Sequence, residues 1–224
     1  MRFLFYISIS LLILLIAWFL PACIGTNAIA SDLGEAFPLA NGAVWTYDVV
    51  LDYQEGEAVV RWAGQVTERI TGGERRGTVA IFHFDRSGYP LDHGVRETVG
   101  NYVIFPDRLY QLSRELDVDK LITTNGMGFE WAQILAWPLR VGQEWGEPAM
   151  LERRDGWYVW QVEDREMMQT LAGRRDCYHL IYRTLADNQR VWFCPDVGFV
   201  RWQYHHNGSP YDEVWSLIGR SMSP

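Results

Sequence analysis

From Val44 to Leu51 the side chains alternate. Trp45, Tyr47, Val49 and Leu51 fall on one face, Thr46 and Asp48 on the other. A period of two with one polar side marks a half-buried antiparallel strand. Asp52–Gly56 is turn chemistry, and Ala58–Ile70 repeats the pattern. There Val60, Trp62, Val66 and Ile70 oppose Arg61, Gln65, Thr67 and Arg69. Thr71-Gly72-Gly73-Glu74 predicts a break, Thr78–Asp85 a further strand, and Ser87-Gly88-Tyr89-Pro90 the next turn. Shorter strands are expected at Val95–Val99, Tyr102–Phe105 and Leu109–Ser113. Asp117–Gly128 has no period and reads as a loop. Phe129–Ala136 is apolar and compatible with a helical turn. Trp157–Arg165, Asp176–Leu185, Gln189–Cys194, Phe199–His206 and Tyr211–Ile218 all read as strands. Asp187-Asn188 and Asn207-Gly208 carry hairpin signals. No long stripe of period 3.6 occurs, so the class is all-β with minor helix.

One motif repeats. Pro38-Leu39-x-x-Gly42-x-x-Trp45 recurs as Pro138-Leu139-x-x-Gly142-x-x-Trp145, and Pro195-x-x-Gly198 followed by Trp202 is a partial third copy. A glycine between an X-Pro break and an aromatic strand start suits a tight turn. The spacing is too long for a solenoid. It reads as two halves of one sheet, each begun by the same lead-in turn.

The N-terminus sets the compartment. Phe3 to Leu20 is an uncharged apolar run after Arg2. Three processing routes fit it. Ala28-Ile29-Ala30 offers a signal-peptidase site. Leu20-Pro21-Ala22-Cys23 puts a cysteine where a lipobox has one, with Cys23 as the lipidation site. An uncut apolar anchor is the third. All three place the rest of the chain outside the cytoplasm and divide it into a signal and tether over 1–30 and one β-rich domain over 37–219. The membrane is then a partner through the lipid or the apolar segment. Cys23 is consumed or removed in the first two routes, which leaves Cys177 and Cys194 to pair as a disulfide in an oxidising compartment. A two-residue turn at Asp187-Asn188 would set Cys177 opposite Gly198 and Cys194 opposite Ile181. A bridge would then need a bulge, a longer turn or a bend near Pro195.

The formal charge of −8 and the lack of a basic run exclude a phosphate-tracking surface, so no nucleic-acid partner is expected. No Gly-x-Ser-x-Gly, Ser-x-x-Lys or phosphate loop is present in a suitable context, and no catalytic residue or cofactor is assigned. His83, Asp85 and His93 make at most a loose set, while His205 and His206 point to opposite faces of a strand; no metal site is assigned. Asp117-Val118-Asp119 and Asp212-Glu213 read as solvated edges or turns. All tryptophans except Trp18 lie beyond the apolar run, and their alternation reads first as filling for the concave side of a curved sheet.

The segments FPLANGAVWTY, WPLRVGQEW, TLAGRRDCYHLIYR and VWFCPDVGFVRWQY, taken in that order, resemble a family of uncharacterised bacterial envelope proteins, many of them lipoproteins. The resemblance implies a strongly curved antiparallel sheet, a half-open β-barrel similar to the periplasmic lipoprotein carrier and its outer-membrane receptor. It transfers no catalytic residue. The expected function is a non-catalytic, envelope-anchored module that binds a lipid or other apolar ligand on the concave face. Trp45, Tyr47, Val60, Trp62, Tyr158 and Trp160 are the candidate ligand-binding residues. The alternatives are a protein-interaction or structural module without a small ligand, and a secreted hydrolase.

Overall fold

A computed structural model of the chain describes residues 33–37, 39–90, 98–113 and 117–222. The described residues form one antiparallel sheet of 12 strands. The first half is β1 (Val44–Glu55), β2 (Ala58–Arg76), β3 (Val79–Ser87), β4 (Val99–Ile104), β5 (Arg108–Ser113) and β6 (Gln133–Ala136). The second is β7 (Glu144–Gly146), β8 (Val159–Thr170), β9 (Gly173–Arg183), β10 (Asp187–Cys194), β11 (Gly198–His206) and β12 (Tyr211–Ser221). Helices are short: α1 (Leu33–Ala36), α2 (Val118–Thr123), α3 (Pro148–Arg153) and a single 3₁₀ turn at Glu130–Ala132.

Each half is a meander of hairpins, and β12 returns to pair with β1 from Asp52↔Asp212 to Val44↔Ser221. The free edges are β6 and β7, neighbours in sequence. The sheet is therefore a nearly closed barrel with one seam. This is the half-open barrel that the resemblance implies.

The repeated motif makes the same turn twice. Gly42 and Gly142 hold φ of 79° and 82°, where a Cβ would be strained. Gly42 N–H donates to Ile70 O and Gly142 N–H to Val162 O, both at 2.8 Å. Ala43 N–H closes on Ala40 O, as Gln143 N–H does on Arg140 O. Ile70 and Val162 return their N–H groups to Ala43 O and Gln143 O. The partial third copy is different: Pro195–Val197 is the β10–β11 hairpin, with Asp196 at φ 67°.

Several expectations are corrected. Thr71–Glu74 does not end a strand. β2 runs through it with a bulge between Ile70 and Gly72, and a Cβ on Gly73 would sit 2.6 Å from Ile81 O. Glycine here lets a strand bend past its neighbour rather than stop. Val95–Val99 and Tyr102–Phe105 are not resolved into two strands: β4 runs unbroken from Val99, and residues 95–97 lie outside the described set, as does His93. Part of the expected loop at 117–128 is α2, capped by Asp117, whose carboxylate accepts from Lys120 N–H at 2.9 Å. Six helical residues are too few to show a period. Phe129–Ala136 contains both the 3₁₀ turn and β6.

Asp187-Asn188 is not the turn. Asp187 opens β10, and the chain reverses at Thr184–Asp187, where Thr184 Oγ1 accepts from Asp187 N–H at 2.8 Å. That moves the register: Asn188 faces Arg183 and Phe193 faces Tyr178. One step further along the same register, Cys177 meets Cys194, and the two are bonded with Cα atoms 4.2 Å apart. No bulge is needed. Asn207-Gly208 does lie in the β11–β12 hairpin, but the loop runs from Asn207 to Pro210, since His206 faces Tyr211.

The inner face carries Trp45, Tyr47, Val49, Leu51, Val66 and Ile70 from β1 and β2, all buried. Phe37, just after α1, packs within 5.3–6.5 Å of Trp45, Tyr102, Phe193 and Phe199, and so plugs one end of the interior. Each such burial contributes about 1.5–3 kcal/mol. A second core lies on the outer face of β3–β5, where Ile81, Val103, Tyr110 and Leu112 are covered by Leu121 and Phe129.

Candidate functional site

Opposite the aromatic plug, the described residues leave space inside the barrel. One cross-strand row explains why. Trp145, Trp160, Tyr182, Gln189, Tyr204, Glu213, Leu51 and Trp62 are each the direct partner of the next, from β7 round to β2. The next row inward begins Val162, Leu180, Val191, Trp202 and Trp215. In the first row the Gln189 amide and the Glu213 carboxylate stand among the rings, and the side chains do not close on one another. They leave a cavity of about 410 Å³. Trp160, Tyr182, Gln189, Trp202, Tyr204 and Glu213 form its wall on one side, with Gln111, Ile134 and Trp131 on the other. This volume falls in the usual range for a small-molecule site.

The rings are set at defined angles. Trp160 and Trp202 stand at 84° with centroids 6.3 Å apart, forming a corner. Tyr182 lies 5.3 Å from Trp160, and Trp145 stacks on it at 6.3 Å. Trp145 also donates from Nε1 to Gln133 O at 3.4 Å, a long bond that links β7 to β6 across the seam. A smaller space of about 80 Å³ adjoins the same rings, between Trp131, Gly146, Met150 and Tyr158.

Polar groups are few and specific. Glu213 is 1% exposed. Its Oε1 accepts from Tyr89 OH at 2.6 Å and from Trp215 Nε1. Its Oε2 has no hydrogen-bond partner. Deeper in the barrel, Arg86 pairs with Glu68 through Nε and Nη2, each at 2.7 Å, and also donates to Tyr102 OH at 3.3 Å. Burial works against the Arg86 charge, but Glu68 and Tyr102 outweigh it and hold the guanidinium pKa above its ordinary value. Breaking such a buried pair leaves an uncompensated charge and costs about 3–5 kcal/mol. Burial first, then the hydrogen bond to Asp187 and nearby carboxylates, pushes the Tyr204 hydroxyl pKa up. Burial and then Glu147 do the same for Tyr182.

The six residues singled out from sequence separate in space. Trp160 lines the cavity and Tyr158 the smaller space. Tyr158 precedes β8 at φ 62°, so it does not share the strand alternation of Trp160 and Val162. Trp45 and Tyr47 are packed at the plugged end, where Trp45 Nε1 donates to Val197 O and Tyr47 OH to Phe199 O. Val60 and Trp62 are half-buried on β2. Trp62 folds over Gly64, where a Cβ would lie 2.5 Å from its ring. Glu213 was missed. It was read with Asp212 as a solvated pair, but adjacent strand residues face opposite ways. Asp212 is exposed and bonded to His205 Nδ1 at 2.5 Å, while Glu213 points inward in phase with Trp215. That phase was the available signal. Among the described residues, no three His, Cys, Asp or Glu side chains converge on a metal position.

No protein-family model and no curated protein matches the chain. Solved structures do. An exported protein with a YmcC-like fold from Bacteroides fragilis is similar at 12% identity and a TM-score of 0.41, over 83% of this chain and 98% of that one. A lipoprotein from Parabacteroides distasonis matches at 12% identity and a TM-score of 0.43, over 83% and 97%. A DUF1329 family protein from Desulfovibrio piger matches at 11% identity and a TM-score of 0.22, over 82% and 87%. These likenesses are distant.

Proposed function

We propose that the protein is a non-catalytic module of the bacterial cell envelope, held at the membrane by its N-terminal segment or a lipid on Cys23. It takes a small ligand with an apolar face into the unfilled end of the barrel. The observation that carries this reading is the aromatic-walled cavity beside the seam, in an interior whose other end holds the ring cluster around Phe37. The export segment and the Cys177–Cys194 bond support the compartment. Among the described residues the cavity wall has a carboxylate but no Ser, Cys or His, which favours binding over nucleophilic chemistry.

The test is a titration of intrinsic tryptophan emission with decanol, a neutral apolar probe. The wild-type chain should show a saturable shift in the micromolar range. Trp160→Ala should weaken it by about tenfold or more, since a buried ring contact is worth on the order of 1.4 kcal/mol or above. No saturable binding of any apolar probe would overturn the reading in favour of an interaction surface. Exposed Trp131 and Met127, 58% and 74% accessible, would be the place to look for one.

A further inference from the structure

We propose that the cavity selects guests bearing an organic cation, held between the corner formed by Trp160 and Trp202 and the carboxylate of Glu213. This rests on the cavity being a binding site and specifies what it takes. Glu213 is 1% exposed and its Oε2 is unpartnered, while Oε1 is anchored by Tyr89 and Trp215. A buried carboxylate oxygen with no donor is costly, and a donor or positive charge entering the cavity removes that cost. Among the described residues, the cavity lining holds no Lys, Arg or His. The buried guanidinium of Arg86 is engaged by Glu68 and Tyr102 and lies 5.7 Å from the Trp215 ring.

The aromatic walls point the same way. Ring faces attract cations, tryptophan most strongly, and two faces at 84° can contact one ammonium from two sides. The charges acting on the two wall tyrosines are negative: Glu147 and Asp187 on Tyr182, Asp187 and Glu213 on Tyr204. An anionic head group, such as a free fatty-acid carboxylate, would meet Glu213 with like charge.

The test compares three probes with one chain length, each below its micelle concentration: decyltrimethylammonium, decanol and decanesulfonate. Calorimetric titration of the wild-type chain should rank the cation at least ~10-fold tighter than the alcohol, with the sulfonate weakest. Glu213→Gln keeps an acceptor for Tyr89 and Trp215 but loses the charge. It should erase the preference while decanol still binds. Equal affinities for all three probes in the wild type would overturn the cation assignment and leave apolar binding standing. No binding by any probe would overturn both. A preference that survives in a Glu213→Gln chain with native near-ultraviolet dichroism would also overturn it. If that variant does not fold, the wild-type ranking decides alone.

Discussion

The two halves of the barrel begin with the same turn and end differently. After Gly42, β1 extends over 12 residues and meets β12 from Val44 to Asp52. After Gly142, β7 extends over 3 residues, is not laddered to β6, and reaches it through the Trp145 indole. The turn therefore does not decide whether a seam closes. What decides is the length of strand on either side, since each ladder position adds backbone hydrogen bonds and cross-strand contacts. β1 and β12 are both long, whereas β6 and β7 stop within a turn of their start. One end of the closed seam carries the packed residues Trp45 and Tyr47, while its other end reaches the cavity at Glu213, and the open seam stands beside that cavity.

The largest effect should come from a single tryptophan on each side. Trp45→Ala removes a ring that is 2% exposed beside the closed seam, and should cost about 3–5 kcal/mol in urea unfolding. Trp145→Phe keeps a ring at the open seam but loses the bond to Gln133, and should cost about 1 kcal/mol. Equal losses would break the comparison. Next is the disulfide, which lies in the half that starts from the short strand. It closes a loop of sequence separation 17, so Cys177→Ala with Cys194→Ala should lose on the order of 3 kcal/mol. An unchanged urea midpoint would show that β9 and β10 need no staple.

The smallest effect is electrostatic. Near the tip of the β1–β2 hairpin, Arg61 donates to both Asp52 oxygens at 2.6 and 2.7 Å. The Arg61 hydrogen bond holds the Asp52 pKa below its ordinary 3.8, with burial opposing and the Arg61 charge adding. A carboxyl whose folded pKa is depressed stabilises the fold above its unfolded pKa, and that contribution is lost as pH falls through the folded value. The pair is solvent-facing, so the loss should be slight. Nuclear magnetic resonance titration of Asp52 should show the low value in the wild type and a return toward 3.8 in Arg61→Gln. An identical titration in both would contradict the assignment.

Much of the barrel was legible because β strands write their burial into alternation. Val44–Leu51 and Ala58–Ile70 are in register with each other, as their patterns require. The paired lead-in turns were legible because Gly42 and Gly142 are needed for the same φ. Two features were hidden by local ambiguity. The glycines at 72 and 73 look like a stop and act as a bend. Asp187-Asn188 looks like a turn, but Thr184 captures the chain three residues earlier, which moves every partner across β9 and β10. The cavity was hidden for a different reason. Trp160 looks the same in sequence as Trp45, and only the partner rows show that one is packed by Phe37 and the other faces open space. Glu213 was legible in principle from its phase with Trp215.

The central claim is that the open seam serves the ligand and the closed seam serves the fold. Hydrogen–deuterium exchange with and without decyltrimethylammonium tests it most directly. The account predicts added protection at β6, β7 and the start of β8, around Gln133–Ala136, Glu144–Gly146 and Trp160, and at the cavity positions Trp202 and Glu213, with little change at the plugged end of the β1–β12 pairing, from Val44↔Ser221 to Asp48↔Ser216. Protection confined to the plugged end of β1 and β12, or spread evenly over the sheet, would contradict it.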